Sequence, residues 1–260
     1  MKPIASRANP LFRQLFKLQG GAGRRGEPAM LDGVHLCEAW LDAGRMPLHA
    51  IFDEQRLAHP ALEALIRRLP SELCVSMPPG LLAGLASVDT GQGVIFIVRT
   101  PVPELAARIR ETVVLLDRIQ DPGNVGTILR TCAAAGVRRI IAATGTAALW
   151  SPKVLRSGQG AQFALELHEH ADLLAVADRL DIPLIATALN GTVDLFSAEL
   201  PKQCAWVFGH EGQGVDAALL AKSALRVHID HERAAVESLN VAVAAGICLF
   251  EQRRQRKRHA

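Results

Sequence analysis

The sequence predicts an α/β protein in which a mostly parallel β-sheet carries helices on both faces and follows a smaller N-terminal α/β domain. Three observations support this fold class. The 260 residues exceed one ordinary domain, and 49% hydrophobic with 21% charged residues is a globular composition. Apolar runs of strand length alternate with helical patterns, which favours parallel strands joined by helices. Pro101 and Pro103 interrupt the alternation, so we place a boundary between domains 1–100 and 101–260.

Each element follows from its own pattern. In the first domain, helical periodicity predicts helices at 10–18, 34–41 and 61–69, and short apolar runs predict strands at 29–31, 49–52, 73–75 and 93–98. In the second domain, the strands are predicted at 113–116, 139–143, 163–167, 184–188, 205–208 and 226–229. The helices there are predicted at 104–110, 127–135, 171–180 and 238–254. Such sheets bind ligands beyond the carboxyl ends of their strands, so the loops that leave the strands are the candidate site.

Composition excludes several classes of protein. Aromatic residues make up 4% of the chain and Tyr is absent, which excludes an extensive aromatic surface for stacking bases. The longest uncharged stretch, residues 73–88, contains prolines and glycines, so we expect no membrane span, and the N-terminus lacks the apolar core of a signal peptide. The five cysteines lie far apart without a CxxC pair, which predicts neither a disulfide scaffold nor a metal site and favours the reducing cytoplasm.

The net charge of +3 is unevenly distributed. Residues 1–30 hold six Lys or Arg against one Glu, or +5, and residues 251–260 hold five against one, or +4. Residues 31–250 therefore carry −6, since the whole chain carries +3. Basic ends on an acidic body favour a polyanionic partner such as nucleic acid. The alternative is a solvated N-terminal arm and a frayed C-terminal tail.

The first polar loop, residues 117–130, leaves a strand and enters a helix. Pro122 and Gly123 predict a turn, and Asn124 is a candidate N-cap of the helix. The free N–H groups at such a helix start bind anions, and Arg130, near Thr127 on the same face, extends the site toward a phosphate. Taken alone, the loop is equally well an ordinary capped helix with a solvated Arg.

Two further loops follow strands of the same sheet. Residues 208–215 (FGHEGQGV) contain three glycines that permit close backbone approach to a ligand, although their order is not that of a dinucleotide-binding loop, and Glu211 is the acidic residue among them. Residues 229–240 end a strand and lead into a helix for which Ser238 is a candidate N-cap. Each loop alone fits a plain strand–helix junction, but together all three are expected at one edge of one sheet.

The three loops resemble the motifs of the SpoU (TrmH-type) RNA ribose 2′-O-methyltransferases of the SPOUT group. The matching segments are Asp121-Pro-Gly-Asn-Val-Gly with Arg130, Phe208-Gly-His-Glu-Gly-Gln-Gly, and Glu237-Ser-Leu-Asn-Val. The resemblance covers about residues 112–255. It is weaker at residues 151–161 (SPKVLRSGQGA) and in the N-terminal region, where residues 9–18 and 31–35 are similar to the family's substrate-binding domain.

The resemblance implies a trefoil knot, S-adenosylmethionine as the cofactor, and a homodimer with active sites at the subunit interface. It also implies an N-terminal domain that grips RNA. The expected substrate is ribosomal RNA, and 23S in particular; the two-domain layout favours ribosomal RNA over transfer RNA, which is the alternative. Two competing hypotheses are a catalytically inactive RNA-binding protein of this fold and a small-molecule nucleotide enzyme. The basic ends and the glycine order disfavour the nucleotide enzyme.

The resemblance also assigns residues to roles, position by position. The implied catalytic residues are Asn124, Arg130, Glu211, Ser238 and Asn240. The implied cofactor-binding residues are Thr187, Gly209, Gly214, Ile229 and Leu239. Arg130 is either the base for the ribose hydroxyl or a clamp on the adjacent phosphate. Two departures concern the pocket: His210 stands where the family often has Asn, and Asp230-His231 where it often has Pro-Met. We expect His210 to be a neutral wall residue without a chemical role.

Overall fold

The computed structural model describes residues 1–20, 26–86, 92–232 and 234–258. Along these residues the strands are β1 (Lys2–Pro3), β2 (Pro28–Asp32), β3 (His49–Asp53), β4 (Cys74–Met77), β5 (Val94–Arg99), β6 (Val113–Asp117), β7 (Arg139–Ala143), β8 (Glu166–Ala171), β9 (Leu184–Thr187), β10 (Val193–Asp194), β11 (Ala205–Gly209) and β12 (Leu225–His228). The helices are α1 (Pro10–Gly20), α2 (Val34–Asp42), α3 (Pro60–Arg67), α4 (Pro79–Ala83), α5 (Pro122–Ala135), α6 (Pro152–Gly158), α7 (Leu173–Ala177), α8 (Ala217–Lys222) and α9 (Val241–Arg258).

The chain divides into two compact units. The first comprises the described residues of Met1–Pro101 together with Ala148–Phe163, and the second comprises Val102–Ala147 and the chain from Ala164 onward. The chain therefore changes unit near residue 101, where the prolines predict a boundary, but a single cut there does not separate the units. The inserted segment belongs to the first unit because its aromatic side chains pack against Trp40, whose ring centroid lies 5.1 Å from that of Phe163.

The first unit is a five-stranded mixed sheet with helices. Its strand order is β1-β4-β3-β5-β2, with β5 antiparallel to both of its neighbours and the remaining pairs parallel. Phe12 and Leu15 of α1 pack on one sheet face, in a core with Ile51 and Ile95. The predicted helices and strands of this region are present. Strand β1 and helix α4 were not predicted, because two and five residues are too short to show a period.

The second unit is a seven-stranded sheet of order β10-β12-β9-β11-β6-β7-β8, and every pair in it is parallel. Alternate side chains cover opposite faces. Val113 and Val207 pack with α7 and α8 in one core cluster. On the other face, the Nε1–H of Trp206 donates to Oε1 of Gln252 in α9 at 3.0 Å. The predicted mostly parallel sheet with helices on both faces is confirmed.

Three predicted elements of the second unit differ from the structure. The predicted helix at 104–110 is absent, since this segment runs irregularly and Ile109 bridges in parallel to Leu180. The strand predicted at 163–167 begins at Glu166, after a turn of 3₁₀ helix. The helix predicted at 171–180 is only α7, which Asp172 caps by accepting bonds from the N–H groups of Leu174 and Ala175.

The basic C-terminus is a continuous helix rather than a frayed tail, since α9 extends to Arg258. Arg253 donates to the carbonyl of Ala135 at 3.0 Å, and Arg254 pairs with Glu251. Two of the basic side chains are therefore bound within the unit. The N-terminal Arg24 and Arg25 lie outside the described residues. Within the described part of the chain, no helix is both long and apolar enough to cross a membrane.

Candidate active site

A cavity of about 600 Å³ opens at the carboxyl ends of three strands of the second unit. Its wall is built from the segment after β9, the glycine-rich loop after β11, and the chain between β12 and α9. This volume lies in the range of small-molecule sites. Among the described residues, no group of three or more His, Cys, Asp or Glu side chains is placed to hold a metal ion.

Most of the predicted site residues line this cavity. Those in its wall are Thr187, Gly209, Glu211, Gly214, Ile229, Ser238, Leu239 and Asn240. Asn124 lies one hydrogen bond behind the wall, because its Nδ2 donates to Oε1 of Glu211 at 3.1 Å. Arg130 is exposed on α5, outside the wall, and none of the described residues pairs with it.

Glu211, in the second loop, accepts hydrogen bonds from the backbone of the first loop. Its Oε2 accepts from the N–H of Gln120 and its Oε1 from the N–H of Asp121, both at 3.2 Å. Burial alone would raise the pKa of Glu211, but the hydrogen bonds from the Asn124 amide and these backbone groups outweigh it and lower that pKa. The carboxylate is therefore ionised at neutral pH and holds the first loop against the pocket.

The helix caps differ from the prediction at both loops. Asp121, not Asn124, caps α5, since its Oδ1 accepts from the N–H of Asn124 at 2.8 Å. Likewise Asn240, not Ser238, caps α9, since its Oδ1 accepts from the N–H of Ala242 at 2.9 Å. The side-chain donors of Asn124 and Asn240 thereby stay free to act elsewhere, and Asn240 Nδ2 donates to Asn124 Oδ1 at 2.9 Å.

These caps also change the predicted anion site at the start of α5. Donors in this region already bind the protein's own carboxylates: the N–H groups of Gln120 and Asp121 bind Glu211, and that of Asn124 binds Asp121. A phosphate is therefore not expected at these donors. Arg130, on the same helix, is exposed, and none of the described residues pairs with its guanidinium.

Comparisons with known proteins identify the family. The profile of the SpoU rRNA Methylase family matches residues 111–250. The chain belongs to this family. The predicted resemblance to the SpoU family is confirmed, and the second and third motif loops contribute residues to the wall of the cavity described above.

Relatives resemble the chain along almost its whole length. An uncharacterised tRNA/rRNA methyltransferase of Synechocystis is 36% identical, over 97% of this chain and 93% of that protein. The 23S rRNA (guanosine(2553)-2′-O)-methyltransferase RlmP of Bacillus subtilis is 30% identical, over 97% of this chain and 100% of that protein. The SpoU methyltransferase AviRb of Streptomyces viridochromogenes, solved with AdoMet, superposes with a TM-score of 0.85 at 28% identity, over 96% and 98% of the two chains.

The glycine loop of this SpoU chain depends on close backbone contact. A Cβ on Gly209 would lie 2.2 Å from the carbonyl carbon of Gly214, so a side chain cannot be accommodated there. Gly214 itself has φ of +71°, in the left-handed region that favours glycine. The tight fold of the loop therefore depends on glycine at both positions.

His210 has a role that the sequence did not predict. Its Nδ1 accepts from the N–H groups of Gly212 at 3.0 Å and Gln213 at 3.2 Å, which closes the turn of the loop. These bonds require an unprotonated Nδ1. An Asn at this position would offer its Oδ1 to the same donors, as in an Asx-turn. His210 lines the pocket wall, as expected, and in addition it shapes the loop.

Asp117 and Arg118 support the same loop and were not predicted. Asp117, 3% exposed at the end of β6, accepts from the Arg118 guanidinium at 2.7 and 3.0 Å and from the N–H of Asp216 at 2.8 Å. Arg118 also donates to Oε1 of Gln213 at 2.9 Å. Its backbone φ of +58° is unusual for a residue other than glycine. The sequence did contain a signal for this pair, because an Asp followed by an Arg stands directly after the apolar run of residues 113–116.

Proposed function

We propose that this SpoU protein transfers a methyl group from S-adenosylmethionine to a ribose 2′-oxygen of ribosomal RNA, in the 23S molecule. The observation that carries the proposal is that the second and third motif loops line one cavity, while Asn124 of the first loop is hydrogen-bonded to Glu211 and Asn240 in its wall. Relatives named as 23S rRNA 2′-O-methyltransferases, including RlmP and the uridine(2479) enzyme of S. viridochromogenes, support the substrate.

The cavity fits the cofactor in size and chemistry. It combines apolar side chains of Ile229 and Leu239 with the open backbone of the Gly209–Gly214 loop, which suits a molecule with a flat base and polar ends. Thr187 lines the far wall. When bound, S-adenosylmethionine supplies a methyl group on a positively charged sulfonium, and an apolar, dry pocket favours the loss of that charge.

The polar side chains then act on the ribose. Arg130 holds the phosphate next to the target nucleotide and stabilises the negative charge that develops on the 2′-oxygen. The hydroxyl proton leaves to that phosphate or to water, because a guanidinium keeps its protons. Asn124, Glu211 and Asn240 form a hydrogen-bonded row that fixes the first loop, and Ser238 orients the third loop at the wall.

The homodimer is part of this proposal. The exposed face of α9 presents Val243 and Phe250, 53% and 48% exposed, with Ile247 between them. These positions lie one to two helical turns apart on one face, and a second copy would cover the stripe. Because α9 begins in the pocket wall, an interface along it puts the active sites at the subunit contact, with the exposed Arg130 of α5 close by.

The knot, the role of the first unit and the location complete the proposal. Membership of the SpoU family supports the trefoil knot that the sequence resemblance implies. The first unit, which carries the basic N-terminal segment, binds the RNA. The protein acts in the cytoplasm, which suits its buried, unpaired cysteines.

The direct test is transfer of a tritiated methyl group from S-adenosylmethionine to isolated RNA. The expected result is label on 23S rRNA from a deletion strain, with the label mapped to a ribose 2′-hydroxyl. Label on transfer RNA alone would overturn the substrate, and no transfer to any cellular RNA would indicate an inactive RNA-binding protein.

A further inference from the structure

The exposed side of α1 in the first unit carries an aromatic ring and two cations. Arg13 lies three residues before Phe16 and four before Lys17, so it neighbours both on the exposed side of the helix, while Phe16 and Lys17 diverge by about 100° around the axis. Phe12 and Leu15 are buried in the sheet core on the other side. The packing of α1 therefore uses its core face and leaves this ridge in solvent.

The ring of Phe16 is both accessible and held in place. Phe16 is 55% exposed, and its ring lies parallel to that of the buried Phe12, with centroids 6.3 Å apart and planes inclined by 20°. Phe12 thus backs Phe16 and limits its motion. A fixed ring with an open side is suited to receive a flat, π-bonded ligand.

The N-terminal segment that holds the ring carries positive charge only. Residues 1–26 contain Lys and Arg but no Asp or Glu. Arg13 and Lys17 are exposed, and neither is paired with any residue that the structure describes. The surface therefore has two cations available for phosphates beside the aromatic ring.

We propose that Phe16, Arg13 and Lys17 form a platform for a single-stranded segment of the RNA substrate. One base stacks on Phe16, and the flanking phosphates contact the two cations. Phe16 contributes one ring of apolar surface, far less than the roughly 800 Å² that each partner buries in a stable protein interface. The combination of one flat ring and unpaired cations favours a nucleic acid over a protein or a membrane. This inference rests on the proposed function, because it names a contact for the same substrate.

Binding of fluorescently labelled 12-mers of oligoadenylate and oligouridylate to the full-length protein tests the platform by anisotropy. Phe16→Ala is expected to weaken oligoadenylate binding roughly tenfold, the effect of one lost base stack. Phe16→Trp is expected to retain affinity and to show indole emission quenched by the RNA. Phe196→Ala is the matched control, since Phe196 is 57% exposed, lies in the second unit and is outside the pocket wall.

The salt dependence of RNA affinity tests the role of Arg13 and Lys17. Arg13→Gln and Lys17→Gln are each expected to lower the slope of log affinity against log salt by about 0.7, the value for one phosphate contact on a single strand. An unchanged slope in both variants would remove the phosphates from the proposal. Both variants should bind S-adenosylmethionine as the wild type does, which checks that they are folded.

Methyl transfer to 23S rRNA separates the two proposals. Phe16→Ala is expected to raise KM for RNA while kcat and the cofactor Kd stay unchanged. Wild-type affinity of Phe16→Ala for oligoadenylate overturns the platform, whatever the methylation result. A wild-type protein that transfers no methyl group, yet loses RNA affinity in Phe16→Ala, overturns only the proposed function. Loss of binding to phosphatidylserine vesicles, or of self-association, with RNA binding intact would assign the ridge to a different occupant and overturn the platform.

Discussion

The side-chain amide of Asn240 donates to Oδ1 of Asn124 at 2.9 Å, although 116 residues separate them in the chain. Each side chain makes a further hydrogen bond, since Asn124 donates to Glu211 and Asn240 caps α9. The row Glu211–Asn124–Asn240 therefore joins all three motif loops of the SpoU domain. Its geometry yields the first prediction.

Two substitutions of Asn240 distinguish its role as the cap of α9 from its hydrogen bond to Asn124. Asn240→Ala loses both and should lower the free energy of unfolding by about 1 kcal/mol as well as methyl transfer. Asn240→Ser keeps a capping oxygen but lacks the amide donor, so it should unfold near the wild-type midpoint with reduced transfer. Urea unfolding and methyl-transfer rates measure the two effects. Equal activity of Asn240→Ser and wild type would show that the bond to Asn124 does not matter for catalysis.

Arg130→Ala is expected to abolish methyl transfer while S-adenosylmethionine binding survives, because Arg130 lies outside the pocket wall. Its exposure and lack of partners among the described residues predict an unchanged melting temperature. Calorimetry of cofactor binding and tritiated-methyl transfer check both parts. Loss of cofactor affinity would contradict the assignment of Arg130 to the RNA.

Arg118→Ala removes the partner of a buried carboxylate and one anchor of the glycine loop. We expect a loss of about 2 kcal/mol in stability, below the usual range for a buried pair because Arg118 is partly exposed, and weaker cofactor binding. Gln213→Ala removes only the anchor, so it should weaken cofactor binding at unchanged stability. Chemical unfolding and calorimetry distinguish the two. Wild-type cofactor affinity in both variants would rule out this support of the loop.

His210 offers a swap that tests its hydrogen bonds directly. His210→Asn supplies an acceptor to the same N–H groups and should retain cofactor affinity, whereas His210→Ala should weaken it roughly tenfold by loosening the loop. Calorimetric titration with S-adenosylmethionine gives the comparison. If both variants bind alike, the turn does not depend on this side chain.

Glu211 predicts a pH dependence. Its pKa is lowered in the folded protein, so its stabilising effect is present above the ordinary value near 4.5 and is lost as pH falls through the folded value. Glu211→Gln should therefore be less stable than the wild type at pH 7, and the difference should vanish as the pH drops well below 4.5. Melting temperatures of the two proteins at both pH values test this. A difference that persists unchanged in acid would exclude the carboxylate charge as its origin.

The strands of the second unit were predictable because continuous apolar runs such as residues 113–116 are clear signals of buried parallel strands. The caps were not, since Asp121 and Asn124 are both good capping residues and the choice depends on Glu211, far away in sequence. Ser238 and Asn240 are likewise both good capping residues, and the local sequence does not show that Asn240 is the one that caps α9. Most predicted residues reached the pocket wall, while Asp117 and Arg118, whose partners lie in another loop, were missed.

The segment Ala148–Phe163 sits within the sequence of the second unit but packs in the first. A truncation that starts at Val102 would leave Trp150 and Phe163 without Trp40, and both rings would meet water. Such a fragment should be prone to aggregation. A soluble catalytic fragment requires that the segment Ala148–Phe163 be replaced by a short linker. The backbone thus passes between the two units three times. Neither unit can therefore be replaced in a chimaera that joins two proteins at a single point.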